Sequence, residues 1–195
     1  MAEEYQTHGI TSETVKNMLF DAGAVYANYG ELDERLIGAT SGGNSFTVER
    51  DVKVIEVDGT RGKTKGFRRI IEENASLTIN LLEMSADNFK LALGAADVSD
   101  IKETIEGIET KVADKIKPRG VIQASDYLKN VALVTTVSGT DQPCVVILYN
   151  VLSDDEFSLE LEDREEGKPA ITLSAHYDPA NLTDPPYEIR YPVVS

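Results

Sequence analysis

Arg35-Leu-Ile-Gly-Ala-Thr-Ser-Gly-Gly-Asn-Ser-Phe-Thr-Val-Glu49, Asp58-Gly-Thr-Arg-Gly-Lys-Thr-Lys-Gly-Phe-Arg-Arg69 and Ala75-Ser-Leu-Thr-Ile-Asn-Leu-Leu-Glu83 decide the fold of this chain. The third run alternates apolar residues (Ala75, Leu77, Ile79, Leu81) with polar ones (Ser76, Thr78, Asn80). That period of two marks a strand with one dry and one wet face. The stretch thus joins two strand-like runs through a long loop that is rich in glycine and basic residues. Loops of that length inside a compact domain are uncommon and usually functional. A cationic loop on an otherwise acidic chain predicts a segment that reaches another molecule.

Working outward, Ala24-Val-Tyr-Ala-Asn-Tyr29 reads as a strand ended by a Gly30 turn. Ser85 is placed to cap a short helix, Ala86 to Leu93, with Ala86, Phe89 and Leu93 on one face and Gly94 as its stop. Residues 1–21 are open between helix and strand, although Val15, Met18 and Leu19 would share a helix face after Thr11 or Ser12. The stretch 97–117 is open too. Ile101, Ile105, Ile108, Val112 and Ile116 recur near helical spacing, while Gly107 and the β-branched content favour strand or loop. Beyond Pro118 the pattern is β: Asn130 to Val137, Val145 to Tyr149, Phe157 to Leu161 and Ile171 to Tyr177, separated by turn signals. Pro179, Pro185, Pro186 and Pro192 predict an extended tail kept out of any sheet centre. The expected architecture is mainly β: an antiparallel sandwich or rolled sheet flanked by one short helix, with a protruding loop. Residues 1–178 form one domain in this reading, and 179–195 an extended C-terminal arm.

The totals narrow the function. The chain has 195 residues, 41% of them apolar, with 19 Lys+Arg against 34 Asp+Glu and a formal net charge of −15. Such a charge favours solubility and repels free nucleic acid over most of the surface. The single cysteine, Cys144, cannot form an internal disulfide. No run of eighteen apolar residues exists, and the acidic N-terminus does not resemble a signal peptide, so a soluble, non-membrane protein made inside a cell is expected.

Tests for chemistry return little. Gly62-Lys63-Thr64 ends like a phosphate-binding loop, but Val57 stands where that motif needs its first glycine, and no helix is expected to follow. His8 and His176 are the only histidines, too few with one cysteine for a zinc site. Cys144 reads as a small core residue. The acidic stretch from Asp154 to Glu166 lacks calcium-loop spacing and reads as a solvated face, a negative wall or a partner for the basic loop. No metal, cofactor or catalytic group is expected, and the role is expected to be non-enzymatic. Arg61, Lys63, Lys65, Arg68 and Arg69 could meet phosphate, yet on so acidic a protein their natural complement is a copy of the same chain.

The order and spacing of several segments resemble the major tail tube proteins of long-tailed, non-contractile bacteriophages. These are Asp21-Ala-Gly-Ala-Val-Tyr-Ala-Asn-Tyr-Gly30, the Arg35 and Asp58 segments quoted above, and Ala75 to Glu83. Ser125-Asp-Tyr-Leu-Lys-Asn-Val-Ala-Leu-Val134 and Lys168-Pro-Ala-Ile-Thr-Leu-Ser-Ala-His-Tyr-Asp178 complete the set. The resemblance spans roughly residues 20–178. It implies a β-sandwich flanked by a helix, a long loop touching the next ring, six copies per ring and rings stacked into a hollow tube.

Mapped onto this chain, the resemblance implies a long loop over about 38–66 and a ring interface of Gly42, Gly43, Asn44, Phe46, Asp58, Gly59, Arg61, Lys63, Lys65, Arg68 and Arg69. Ser76, Thr78 and Asn80 would face the lumen. Implied partners are further copies of the chain and the tape-measure, tail-tip and tail-terminator proteins, with phage DNA crossing the lumen unbound. The implied location is the virion tail, after assembly in the bacterial cytoplasm. Two other readings compete. A monomeric sandwich that binds or decorates a phage particle predicts an exposed aromatic patch, with Tyr177, Tyr187 and Tyr191 as candidates. A nucleic-acid binder predicts salt-dependent DNA affinity through the basic loop.

Overall fold

The computed structural model describes residues 8–105, 107–164 and 166–194. In chain order the strands are β1 (Leu19–Ala27), β2 (Arg35–Leu36), β3 (Thr40–Val54) and β4 (Arg68–Leu81). Helix α1 (Ala86–Leu93) follows, then β5 (Ala96–Ile105), β6 (Ile108–Pro118), β7 (Leu128–Val137), β8 (Pro143–Val151), β9 (Ala170–Ser174) and β10 (Tyr187–Arg190). A five-stranded sheet runs β10-β8-β7-β1-β2, a three-stranded sheet runs β3-β4-β9, and β5 and β6 pair only with each other. Every pairing is antiparallel.

The two larger sheets form a sandwich because each offers one apolar face. Leu77 stands opposite Leu173 and Ile79 opposite Ile171 in one sheet. Val131 opposes Leu148, Leu133 opposes Val146 and Val25 opposes Leu133 in the other. These residues share one buried cluster with Leu91 and Ala92 of α1. The alternation of β4 is realised residue by residue: Ala75, Leu77, Ile79 and Leu81 are buried, and Ser76, Thr78 and Asn80 half-buried. Strand β8 is buried on both faces, because Val145 and Ile147 join Ala132 in a small second cluster under Tyr29 and Tyr149.

Helix α1 has the expected caps. The Ser85 Oγ accepts from the Asn88 backbone N–H at 3.2 Å, and Gly94 closes the helix at φ +65°. A side chain at Gly94 would meet the Ser153 carbonyl oxygen at 2.2 Å. The buried stripe differs from the expected one: it is Asn88, Leu91 and Ala92. Asn88 can be buried because its amide donates to the carbonyls of Ile37 (2.8 Å) and Glu83 (2.9 Å) and accepts from Arg35 (3.2 Å). Phe89 is half-buried, edge-on to Phe157.

Several expectations need correction. Much of the loop expected over 38–66 is strand: β3 pairs with β4 from Thr40↔Leu81 to Val54↔Arg68, and 38–39 and 55–67 stay outside the strands. Gly42 and Gly43, at φ +90° and +86°, bend β3 where its register shifts. Gly42, Gly43, Asn44 and Phe46 therefore belong to a strand. Phe46 packs on the core, and Asn44 donates to the Ala22 carbonyl at 2.9 Å. The alternating segment Phe157–Leu161 is not a strand, since no neighbouring edge pairs with it. The described residues of 97–117 form the β5–β6 ribbon; in the N-terminal segment 1–7 lie outside the described residues, and 12–17 are turns. The proline-rich tail is not extended throughout: 179–184 fold into turns closed by the Asp178↔Asn181 bridge, and Tyr187–Arg190 joins β8 as an edge strand of the sandwich.

Candidate functional site

The outer face of the three-stranded sheet is a field of small polar side chains. Ser45 lies opposite Thr78, Thr47 opposite Ser76, Thr78 opposite Thr172 and Ser76 opposite Ser174. These six side chains and Asn80 point away from the buried apolar residues of β4 and β9 and the half-buried Phe46 and Val48 of β3, as the period of two requires. The Thr78 and Thr172 hydroxyls are 3.3 Å apart, and the Asn80 amide donates to the Gly43 carbonyl at 2.8 Å. At one end Glu49, Asp154, Asp155 and His176 line a shallow groove. The surface is thus hydroxylic and amidic, with carboxylates at its border. It offers hydrogen bonds to water and no fixed cation to a polyanion.

Strand β3 is the edge of this sheet, so one of its sides carries unpaired backbone N–H and C=O groups along fifteen residues. Edge strands in soluble proteins are normally short, covered or blunted by proline. This one is long, proline-free and uncharged from Thr40 to Val48.

Beyond the sandwich, β3 and β4 continue as a two-stranded arm. A clamp fixes its root. Glu73 is buried, 8% exposed. Its carboxylate is ion-paired with the Arg50 guanidinium and accepts from the Tyr187 hydroxyl at 2.7 Å, while Arg50 also donates to that hydroxyl at 2.8 Å. Arg50 first, and Tyr187 second, hold the Glu73 carboxyl below the usual carboxylate range. Burial and the neighbouring Glu73 push the Tyr187 phenol up. The Tyr187 ring also stands 5.8 Å from that of Phe46. The arm is therefore tied across to β10 of the other sheet. No local sequence signal announces this clamp, because its three members come from three separate strands.

At the tip, the Ile55 N–H donates to the Phe67 carbonyl at 2.9 Å, closing a loop that holds Asp58, Gly59, Arg61, Lys63 and Lys65. Arg68 and Arg69 open β4 just beyond it. All five cations are exposed, and none forms an ion pair among the described residues. The predicted site residues thus fall in three places. Gly42, Gly43, Asn44 and Phe46 lie in the sheet, Asp58 to Arg69 at the arm tip, and Ser76, Thr78 and Asn80 on the hydroxyl face.

Cys144 is buried, and burial raises its thiol pKa. His176 is held by the Asn150 carbonyl at 3.0 Å from Nδ1 and lies edge-on to Tyr127. Tyr187, engaged with Glu73 and Phe46, is withdrawn from any exposed tyrosine patch. Among the described residues, no helix is long and apolar enough to cross a membrane.

No protein-family model and no curated protein matches the chain. Among solved structures, one similar chain comes from the "Virion of native gene transfer agent (GTA) particle". It shares 9% identity at a TM-score of 0.44, over 87% of this chain and 96% of that one. A likeness so distant assigns no role to the present chain.

Proposed function

We propose that this chain is a structural virion protein that self-assembles, six copies to a ring, into the hollow tail tube through which phage DNA leaves the particle. The observation that carries the reading is the union of a long edge strand, β3, proline-free and uncharged from Thr40 to Val48, with a cation-free hydroxyl face on the same sheet. Pairing that edge with a neighbouring copy would satisfy its backbone groups and extend the sheet around a closed ring. The hydroxyl face of Ser76, Thr78 and Asn80 would then line a water-filled channel, and the apolar face would stay in each subunit's core.

Charge fits the same role. Six copies would carry a formal charge of about −90 per ring, a field that keeps a polyanion from adhering to the wall. The five cations at the arm tip point to contact between rings. Tape-measure, tail-tip and terminator proteins are the expected companions, and no enzymatic step is required of the chain. Assembly is proposed to occur in the host cytoplasm before the tube joins the virion.

The test is negative-stain electron microscopy of purified protein across a concentration series, with light-scattering mass on the same samples. Six-membered rings or hollow tubes are the expected result. A strict monomer at every concentration favours the binding or decorating module instead.

A further inference from the structure

The β5–β6 ribbon is the least supported element of the molecule. Ala96 at its root is buried, but among the described residues from Asp97 to Lys117 only Ile116 is even half-buried. A lone two-stranded hairpin is marginally stable at best in water, so ten paired positions standing free of both sheets call for a partner.

The two faces of the ribbon differ. On one, Lys111 bridges Asp100 (3.0 Å) and Asp114 (2.7 Å), and Lys102 approaches Glu109 at 4.0 Å. The other places Ile101 opposite Ala113, Glu103 opposite Thr110 and Ile105 opposite Ile108 towards the tip, with Lys115 and Lys117 opposite Ser99 and Asp97 nearer the root. Ile101, Ile105 and Ile108 are 42%, 50% and 68% exposed. The sequence from Glu103 to Glu109 holds three glutamates and no cation. The ribbon is thus an apolar strip with an acidic tip.

The β3–β4 arm is its complement on both counts. Its core-side face runs on past the Arg50–Glu73 clamp as Val52 opposite Ile70 and Val54 opposite Arg68, and Val54, Ile70 and Ile71 are exposed. Its tip carries the five unpaired cations. Within one chain the two ribbons belong to separate sheets and share no hydrogen bond or ion pair among the described residues. Each therefore offers a matching surface that its own copy does not use.

We infer that these ribbons are the two halves of one contact between copies: the cationic β3–β4 arm of one chain lies along the apolar, acid-tipped face of the β5–β6 ribbon of another. Apolar strip meets apolar strip, which buries surface that neither copy covers alone. Lys63, Lys65 and Arg68 reach around the ribbon tip to Glu103 on that face and Glu109 on its reverse, which fixes orientation and excludes the like-charged pairings of arm with arm and ribbon with ribbon. This pairing rests on the self-assembly proposed above and adds to it the surface that receives the basic loop.

The test is charge reversal in the full-length chain. One variant carries Lys63→Glu, Lys65→Glu and Arg68→Glu; a second carries Glu103→Lys and Glu109→Lys; a third carries all five. Far-UV circular dichroism confirms that each keeps the wild-type fold, and sedimentation gives the concentration at which half the protein is assembled. Each partial set is expected to raise that concentration at least about tenfold, and the full set to bring it back near wild type, because like-charge contacts become opposite-charge ones again. If either partial set assembles as wild type does, or if the full set stays dispersed, the pairing of the two ribbons is overturned while the tube reading stands. A wild-type chain that never assembles overturns both.

Discussion

The β3–β4 hairpin buries Ala75, Leu77, Ile79 and Leu81 against the second sheet before it leaves the sandwich, whereas the β5–β6 ribbon buries only Ala96 at its root. The first is half core and half arm, with Glu73, Arg50 and Tyr187 marking the change. The second is arm throughout. Its root is fixed by the Arg119 guanidinium, ion-paired to Asp97 at 3.1 Å and to the buried carboxylate of Asp126. One hairpin thus takes its conformation from burial and the other from local pairing and a few charges at its base. Hydrophobic burial supplies most of a fold's stability, so the two should respond to mutation in opposite ways.

The largest contrast is expected from Leu77→Ala. It removes a fully buried side chain at the centre of the sandwich and should cost about 2–5 kcal/mol in urea unfolding. A loss below about 1 kcal/mol would show that β4 does not anchor the core.

The clamp should give an intermediate effect. Tyr187→Phe keeps the ring on Phe46 but removes the hydroxyl that donates to Glu73, at a cost of about 1 kcal/mol. The pH dependence has a definite sign. Glu73 is held below its ordinary range in the folded state, so its contribution is fully present above the unfolded carboxylate pKa and is lost as pH falls through the folded value. Wild-type unfolding midpoints should therefore drop on acidification within and below the carboxylate range, and the drop should be smaller in Glu73→Gln. Parallel pH profiles of the two proteins would remove the clamp from the account.

The smallest effect on the monomer should come from Ile105→Ser at the far end of the ribbon. Ile105 is half exposed, and its replacement should change unfolding free energy by no more than about 0.5 kcal/mol. Amide exchange should separate the same regions, with β5 and β6 exchanging through local opening and β7 and β8 only through global unfolding.

The same contrast explains how far the sequence could be read. Strands β4 and β9 showed themselves because each has one dry face, and burial of alternate residues writes a period of two into the chain, whereas β7 is covered on both faces at Asn130–Leu133 and reads as a continuous apolar run. In 97–117 both faces are wet, so Ile101, Ile105, Ile108 and Val112 follow no core and fall by accident near helical spacing. Strand β3 was hidden for another reason: Gly42 and Gly43 look like loop residues, and only the pairing with β4 reveals that they bend a strand. Conversely, Phe157 to Leu161 alternates without being a strand, because alternation requires a partner edge and none is adjacent. The basic tip was legible as composition. The clamp was not, since Glu73 and Tyr187 meet across 114 positions of sequence.

The lone thiol of Cys144 has a practical consequence. It lies 3% exposed within β8, and burial keeps it in its unreactive protonated form. Maleimide and other thiol-selective reagents will therefore pass over the native chain. A single cysteine placed at an exposed position such as Lys63 or Ile108 would become the sole conjugation point, so a fluorophore or spin label could be mounted on either ribbon without first stripping the natural residue.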